Sequence, residues 1–257
     1  METDKVGCYE FMAEPFHCDA SQRLFMGHLG NHLLNAADFH SQHRGFGMTY
    51  LNGIHKTWVL SRLAIEMEEM PPMYARFQVE TWVESAMRFF TNRNFKVEDM
   101  ETGRVYGYGR SVWAMIDTDT RQPANLLDVD DGVLLQYVEK DKPCPIAKSS
   151  RVTITAEASL KTSFVAHYSD IDINGHLNSV KYIEHVLDLF DLEWYGSHRL
   201  QRIEIAYVAE AHAGDTVRLY QETGADGLTF HFRMTKTAAD EGEEIEICRS
   251  LVRFVKD

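Results

Sequence analysis

Residues 166–182 read AHYSDIDINGHLNSVKY and set a carboxylate, a carboxamide and an imidazole at alternate positions: Asp172, Asn174 and His176. In an extended segment alternate side chains share a face, so this spacing predicts three functional groups converging on one point. An amphipathic pattern follows at once, and the start of a helix stabilises developing negative charge. An imidazole with an ordinary pKa of about 6.5 can take a proton from water and pass it to a leaving group. The carboxamide can donate to a carbonyl or hold a water. Gly175 lets a substrate approach the backbone closely, and the amides from Gly175 to Asn178 are candidate oxyanion donors. Together these groups suit hydrolysis of an ester or thioester. Each also has a plainer use: an Asn closes Asx-turns, an Asp complements a helix start, and a His can satisfy backbone groups there.

The elements that must position these groups are legible around them. Leu177, Val180, Ile183, Leu187 and Phe190 recur at helical spacing. Asn178 reads as the N-cap of that helix, and Tyr182 as core. Glu210 stands at or just after the strand Arg202–Val208, in which Ile203, Ile205 and Tyr207 alternate with Arg202, Glu204 and Ala206. A carboxylate at a strand end is ordinarily just solvated, so the residues alone do not single it out.

The chain also repeats itself. Phe77–Met115 and Asp215–Phe254 align at an offset close to 139 residues, with Val79 on Val217 and Arg110-Ser111 on Arg249-Ser250. Each copy reads as three strands joined by tight turns. Leu228, Phe230, Phe232 and Met234 alternate with polar residues after the turn Ala225-Asp226-Gly227. Phe77, Val79, Thr81 and Val83 alternate with Gln78, Glu80, Trp82 and Glu84, and Glu101-Thr102-Gly103 is the matching turn. Each copy is preceded by a helix. In the first half Phe25, Leu29, Leu33 and Ala36 recur within residues 21–39, and Gly27-His28-Leu29 echoes Gly175-His176-Leu177. The order strand, helix, several antiparallel strands, twice over, predicts an α+β fold of two long sheets, each wrapped on one helix. Residues 117–150 read as a linker with one short helix near Asp130–Tyr137. They divide the chain into 1–145 and 146–257.

Bulk properties narrow the function classes. At 44% hydrophobic and 25% charged the composition is that of a globular protein. No run approaches the ~20 apolar residues of a membrane span, and the N-terminus does not resemble a secretory or transit segment, so a cytoplasmic protein is expected. The formal net charge of −13 disfavours nucleic acid. Cys8, Cys18, Cys144 and Cys248 are scattered and predict free thiols. His28 and His32 lie four apart, but no third ligand pattern accompanies them, so no metal is expected. Gly107-Tyr108-Gly109 lies in a strand-like stretch without the helix of a dinucleotide fingerprint. No Gly-x-Ser-x-Gly elbow occurs, and no cofactor is expected.

The order and spacing of several motifs resemble the acyl-acyl carrier protein thioesterases, over nearly the whole chain. They are Gly45-Phe46-Gly47, Trp58-Val59-x-x-Arg62, Thr81-Trp82-Val83, Ser111-Val112-Trp113, Thr120-Arg121, Asp172-x-Asn174-x-His176-x-Asn178-x-Val180-Lys181-Tyr182, and Tyr207-x-x-Glu210 with Gly214-Asp215. The resemblance, that of a bacterial member similar to the plant fatty acyl-acyl carrier protein thioesterases, implies a tandem (double) hotdog fold. It also implies release of free fatty acid from acyl carrier protein, ending fatty acid synthesis. Acyl-CoA thioesterase activity and non-catalytic acyl binding are the alternatives. The family's catalytic positions fall on Asp172, Asn174, His176 and Glu210, with Glu210 as the implied base on water, although His176 could also serve. Plant members carry a cysteine just after the glutamate; Ala211 stands there, which leaves attack to water or a carboxylate. A bacterial protein without the N-terminal extension of plant members is expected. Phe25, Leu29 and Leu33 are expected to line the acyl tunnel as well as fill the core, with one catalytic site per chain. The implied partner is acyl carrier protein, met by a basic rim for which Arg44, Arg62, Arg110, Lys181 and Arg199 are candidates. A monomer or a homodimer is expected.

Overall fold

The computed structural model describes residues 4–237 and 242–256. Positions 238–241 of the second repeat lie outside the described residues. The chain divides into two compact units, Met1–Lys148 and Ser149–Asp257.

The first unit is a five-stranded antiparallel sheet in the order β1-β3-β4-β5-β2. The strands are β1 (Val6–Met12), β2 (Lys56–Met67), β3 (Arg76–Ala86), β4 (Phe90–Asp99) and β5 (Val105–Asp117). Helix α1 (Met26–Gln42) lies on its inner face, and a short α2 (Met48–Gly53) follows. The predicted period of two holds in β3: Phe77, Val79, Thr81 and Val83 are all fully buried. So is the apolar stripe of α1, with Leu29, Leu33 and Ala36. Gly109 of β5 lies beneath this stripe. A Cβ there would stand 3.4 Å from Leu33 Cδ1 and 3.1 Å from the Phe95 ring, so glycine lets helix and sheet close up. Arg93, buried on the same face, donates to Thr81 Oγ1 and to Ser41 Oγ of α1 at 3.1 Å each. Burial holds its pKa down to about 9.

Three expectations change here. Phe25 precedes α1 as its N-cap residue and is half-exposed, so it belongs to the entry turn and not to the helix. Trp82, placed on the outer polar face, is fully buried. The chain leaving residue 138 folds back over that face, and Cys144 and Ile146 pack on the indole with Val6 and Tyr108. Trp82 Nε1 donates to Lys142 O at 3.2 Å. Finally, residues 117–148 are packed structure. A 3-10 segment, Leu126–Tyr137, is interrupted by left-handed Asp130, Asp131 and Gly132, and it buries Leu126, Val129 and Leu134 against Phe46, Leu51 and Met115. Arg110 fastens the strap that follows, donating to Ile146 O (2.9 Å), Cys144 O (2.7 Å) and Glu84 Oε2 (2.8 Å).

The second unit repeats the plan in the order β6-β8-β9-β10-β7. Its strands are β6 (Ser159–Val165), β7 (His198–Tyr207), β8 (Thr216–Thr223), β9 (Thr229–Thr237) and β10 (Ile245–Lys256). The helices are α3 (Ser179–Leu187) and α4 (Leu192–Tyr195). α3 is shorter than the sequence period suggests. Leu177 pairs in a bridge before it, and Phe190 lies beyond it. Phe190 anchors an aromatic cluster instead, with ring centroids 4.7 Å from Phe254 and 4.8 Å from Phe230. Both sheets are therefore antiparallel and each carries one main helix, the two-domain tandem hotdog arrangement. The four cysteines are free. No helix among the described residues is long and apolar enough to cross a membrane.

Candidate active site

The segment Ile171–Leu177 is a tight turn and not an extended strand. Ile171 and Leu177 form an antiparallel bridge, and between them the chain reverses. Asp172 N donates to His176 O (2.8 Å) and Gly175 N to Asp172 O (3.1 Å). The Asp172 carboxylate turns inward, its Oδ1 accepting from Asn174 N (2.8 Å) and His176 N (3.1 Å). An Asx-type bond of this kind competes well with strand pairing, which is why alternation fails as a guide here. Gly175 has φ +81°, a conformation that L side chains rarely adopt, and a Cβ would meet open space, so glycine is needed for the backbone alone.

The turn settles which amides are already engaged. Besides Gly175 and His176, Leu177 N donates to Ala211 O (2.7 Å) and Asn178 N to Asp170 O (2.8 Å). The expectation that amides of residues 175–178 form an oxyanion hole is therefore wrong: all four are used in the fold. Asn174, exposed at the tip of the turn, keeps a side-chain amide there. Asn178 is the N-cap of α3, as expected, accepting from Val180 N at 3.0 Å.

The imidazole finds its partner across the turn. A second tight turn, residues 208–215, joins β7 to β8, closed by His212 N on Asp215 Oδ2 (2.9 Å) and by Gly214 N on Ala166 O (2.9 Å). A bridge between His176 and His212 holds the two turns together. It brings His176 Nε2 to 3.3 Å from Glu210 Oε2, with the side chains 24% and 32% exposed, so water reaches both. Asp172, Asn174, His176 and Glu210 thus stand on two adjoining turns of one unit. His176 and Glu210 are in direct side-chain contact, and Asp172 bonds its own turn. Ala211 is fully buried and fixes Leu177 through its carbonyl.

Sequence reasoning missed His212, whose ring meets that of His176 edge-on at 5.2 Å. Its place two residues beyond Glu210 was the available signal. Tyr207 was also missed as a positioning group: its hydroxyl donates to Ser179 O (2.9 Å), tying the end of β7 to the first residue of α3. Tyr182, read as core, is buried and meets the Tyr207 ring edge-on. Among the tunnel candidates, Leu29 and Leu33 are fully buried in the first unit.

The first unit contains the same turn. Asp19 Oδ1 accepts from Ser21 N (2.8 Å) and Arg23 N (3.2 Å), and Gln22 N donates to Asp19 O (2.9 Å). Asp19 N donates to Arg23 O (2.8 Å), and Gln22 takes the positive φ of Gly175, at 60°. Cys18 bridges Leu24 as Ile171 bridges Leu177, and Leu24 N donates to Pro71 O as Leu177 N does to Ala211 O. The true counterpart of residues 172–176 is thus 19–23, and the Gly27-His28-Leu29 echo is a coincidence lying inside α1. Arg23 stands in place of His176 and pairs with Glu69 at 2.6 Å.

Residues 9–131 match the acyl-ACP thioesterase N-terminal domain and residues 154–252 match the C-terminal domain of the same family. The chain belongs to the acyl-ACP thioesterase family. A crystal structure of an acyl-ACP thioesterase from Bacteroides thetaiotaomicron superposes with a TM-score of 0.89 at 49% identity, covering 99% of this chain and 100% of that one. The 12:0-ACP thioesterase of Umbellularia californica shares the fold, with a TM-score of 0.82 at 19% identity over 98% of each chain. Oleoyl-acyl carrier protein thioesterase 1 of Arabidopsis thaliana is 27% identical over 81% of this chain, and oleoyl-acyl carrier protein thioesterase 2 is 32% identical over 67%. This chain spans 61% and 49% of the length of those two relatives.

Proposed function

We propose that the chain hydrolyses the thioester of fatty acyl-acyl carrier protein, releasing free fatty acid and so ending fatty acid synthesis. The observation that carries this reading is the 3.3 Å approach of His176 Nε2 to Glu210 Oε2, beside the exposed Asn174, in a member of this family. The imidazole–carboxylate pair takes a proton from the attacking water. The water oxygen bonds to the thioester carbon, and the carboxylate stabilises the imidazolium that forms. The Asn174 carboxamide donates to the oxyanion; such a donor contributes roughly 3–4 kcal/mol. As the C–S bond breaks, the imidazolium proton passes to the leaving sulfur. Ala211 offers no nucleophile, and Glu210 is engaged with His176, which favours water as the attacking group.

Acyl carrier protein is the proposed partner. Several basic residues considered for its docking have intramolecular roles. Arg44 donates to Asp4 O and His40 O, Arg110 holds the strap, and Lys181 pairs with Glu184 at 2.7 Å. The test is a side-by-side panel of acyl-acyl carrier protein and acyl-CoA substrates with the released acids identified by length. Preference for the carrier-protein thioesters supports the proposal. Preference for CoA esters moves the chain to acyl-CoA hydrolysis, and tight binding without turnover makes it an acyl carrier.

A further inference from the structure

We propose that Glu14, His17 and His32 of the first unit form a binding site for a divalent transition metal of the zinc class. Glu14 and His17 bracket the 3-10 turn Pro15–His17 that follows β1, and His32 projects from α1 beside it. One ligand atom from each residue lies within 4.8 Å of the other two. His17 Nδ1 stands 2.6 Å from Glu14 Oε2, yet the two are not aligned as a hydrogen bond. His32 Nε2 is shielded from solvent with no hydrogen-bond partner among the described residues. A shielded ring nitrogen without a partner is costly unless something ligates it.

The donor set fits the metal. Two imidazoles and a carboxylate suit zinc or cobalt, with a fourth position open. Bonds of about 2.0–2.1 Å set tetrahedral ligands roughly 3.3 Å apart. Reaching this from the observed positions takes small rotations of Glu14 and His17, whose side chains are 52% and 38% exposed. The His28 ring stacks on that of His17 with centroids 4.0 Å apart and steadies its plane. Bound there, the ion would clip the turn after β1 to the central helix.

The site is particular to this repeat. The equivalent positions of the second unit are His167, Asp170 and His185, and His185 Nε2 is likewise without a partner. There the Asp170 carboxylate accepts from His167 N at 2.9 Å, and the three do not gather among the described residues. His176, Glu210 and His212 do gather, so the experiment must separate the two trios.

Chelator-stripped full-length protein is titrated with zinc chloride by calorimetry and with Co²⁺ by visible absorption. The proteins compared are wild type, His212→Ala, and the double variant Glu14→Gln/His17→Ala, with near-UV circular dichroism as the folding control. The expected result is one site retained in His212→Ala, with tetrahedral Co²⁺ bands, a metal-dependent rise in Tm, and affinity more than about tenfold weaker in the double variant. Binding unchanged in the double variant, or lost in His212→Ala, places the metal at the other trio and overturns the proposal. Absence of saturable binding in wild type also overturns it.

Discussion

Asp172 and His176 are close in sequence and differ in what they do. The Asp172 carboxylate accepts two amides of its own turn, and Asp19 makes the same pair of bonds in the unit whose turn carries Arg23 in place of the imidazole. Its work is therefore to shape the loop. Asp172→Asn, which keeps an oxygen acceptor, should retain most activity, whereas Asp172→Ala should lose it largely through kcat. Equal loss in the two variants, measured on acyl-carrier-protein substrate, would contradict this role. His176→Ala and Glu210→Gln should each lower kcat by about 10²–10⁴-fold with the fold intact by circular dichroism. A double variant no slower than either single one would mark them as a working unit. The residue types of this site were readable at first sight. Their geometry was not, because a short Asx turn and a strand share the same alternation of polar and apolar residues until the bonding of Asp172 is known.

At the level of elements, the apolar periods of α1, β3 and β9 were sound guides because each buries one face against a helix or sheet. They failed where a second layer intervenes. Trp82 looked outward until the strap from residue 139 covered it, and Phe190 looked helical because an aromatic cluster uses the same spacing. Glu210 was found only through the family pattern, since nothing local in a strand end tells which distant turn it will face. Two element ends can be tested directly. Asn178→Ala removes the N-cap of α3 and should cost about 1 kcal/mol in urea denaturation. Gly175→Ala, forced to φ +81°, should cost about 1–2 kcal/mol, with activity falling further than stability because the turn carries Asn174 and His176.

For the whole molecule, pH tolerance is set partly far from the site. His40 is fully buried in the first unit, its Nε2 on Lys5 O at 3.1 Å, and burial with Arg93 and Arg44 nearby lowers its pKa to about 2. The unfolded chain takes up this proton near pH 6.5 and the folded chain does not. Stability is therefore complete above about 6.5 and falls steadily as pH drops towards the folded value, by up to ~1.4 kcal/mol per pH unit for one proton. Urea midpoints between pH 7 and 5 should fall less steeply for His40→Gln than for wild type. The strap offers a second check. Arg110→Ala frees Cys144 O and Ile146 O, so trypsin should cut after Lys140 or Lys148 sooner than in the parent protein.

Because the loop Asp19–Arg23 already has the bends of its counterpart, a vacant toolholder sits in the first repeat. Ser21 occupies the place of Asn174 and Arg23 that of His176, and Met70, which precedes Pro71 as Glu210 precedes Ala211, that of Glu210. Three replacements, Ser21→Asn, Arg23→His and Met70→Glu, would furnish a second set of reactive groups on a backbone that needs no rebuilding.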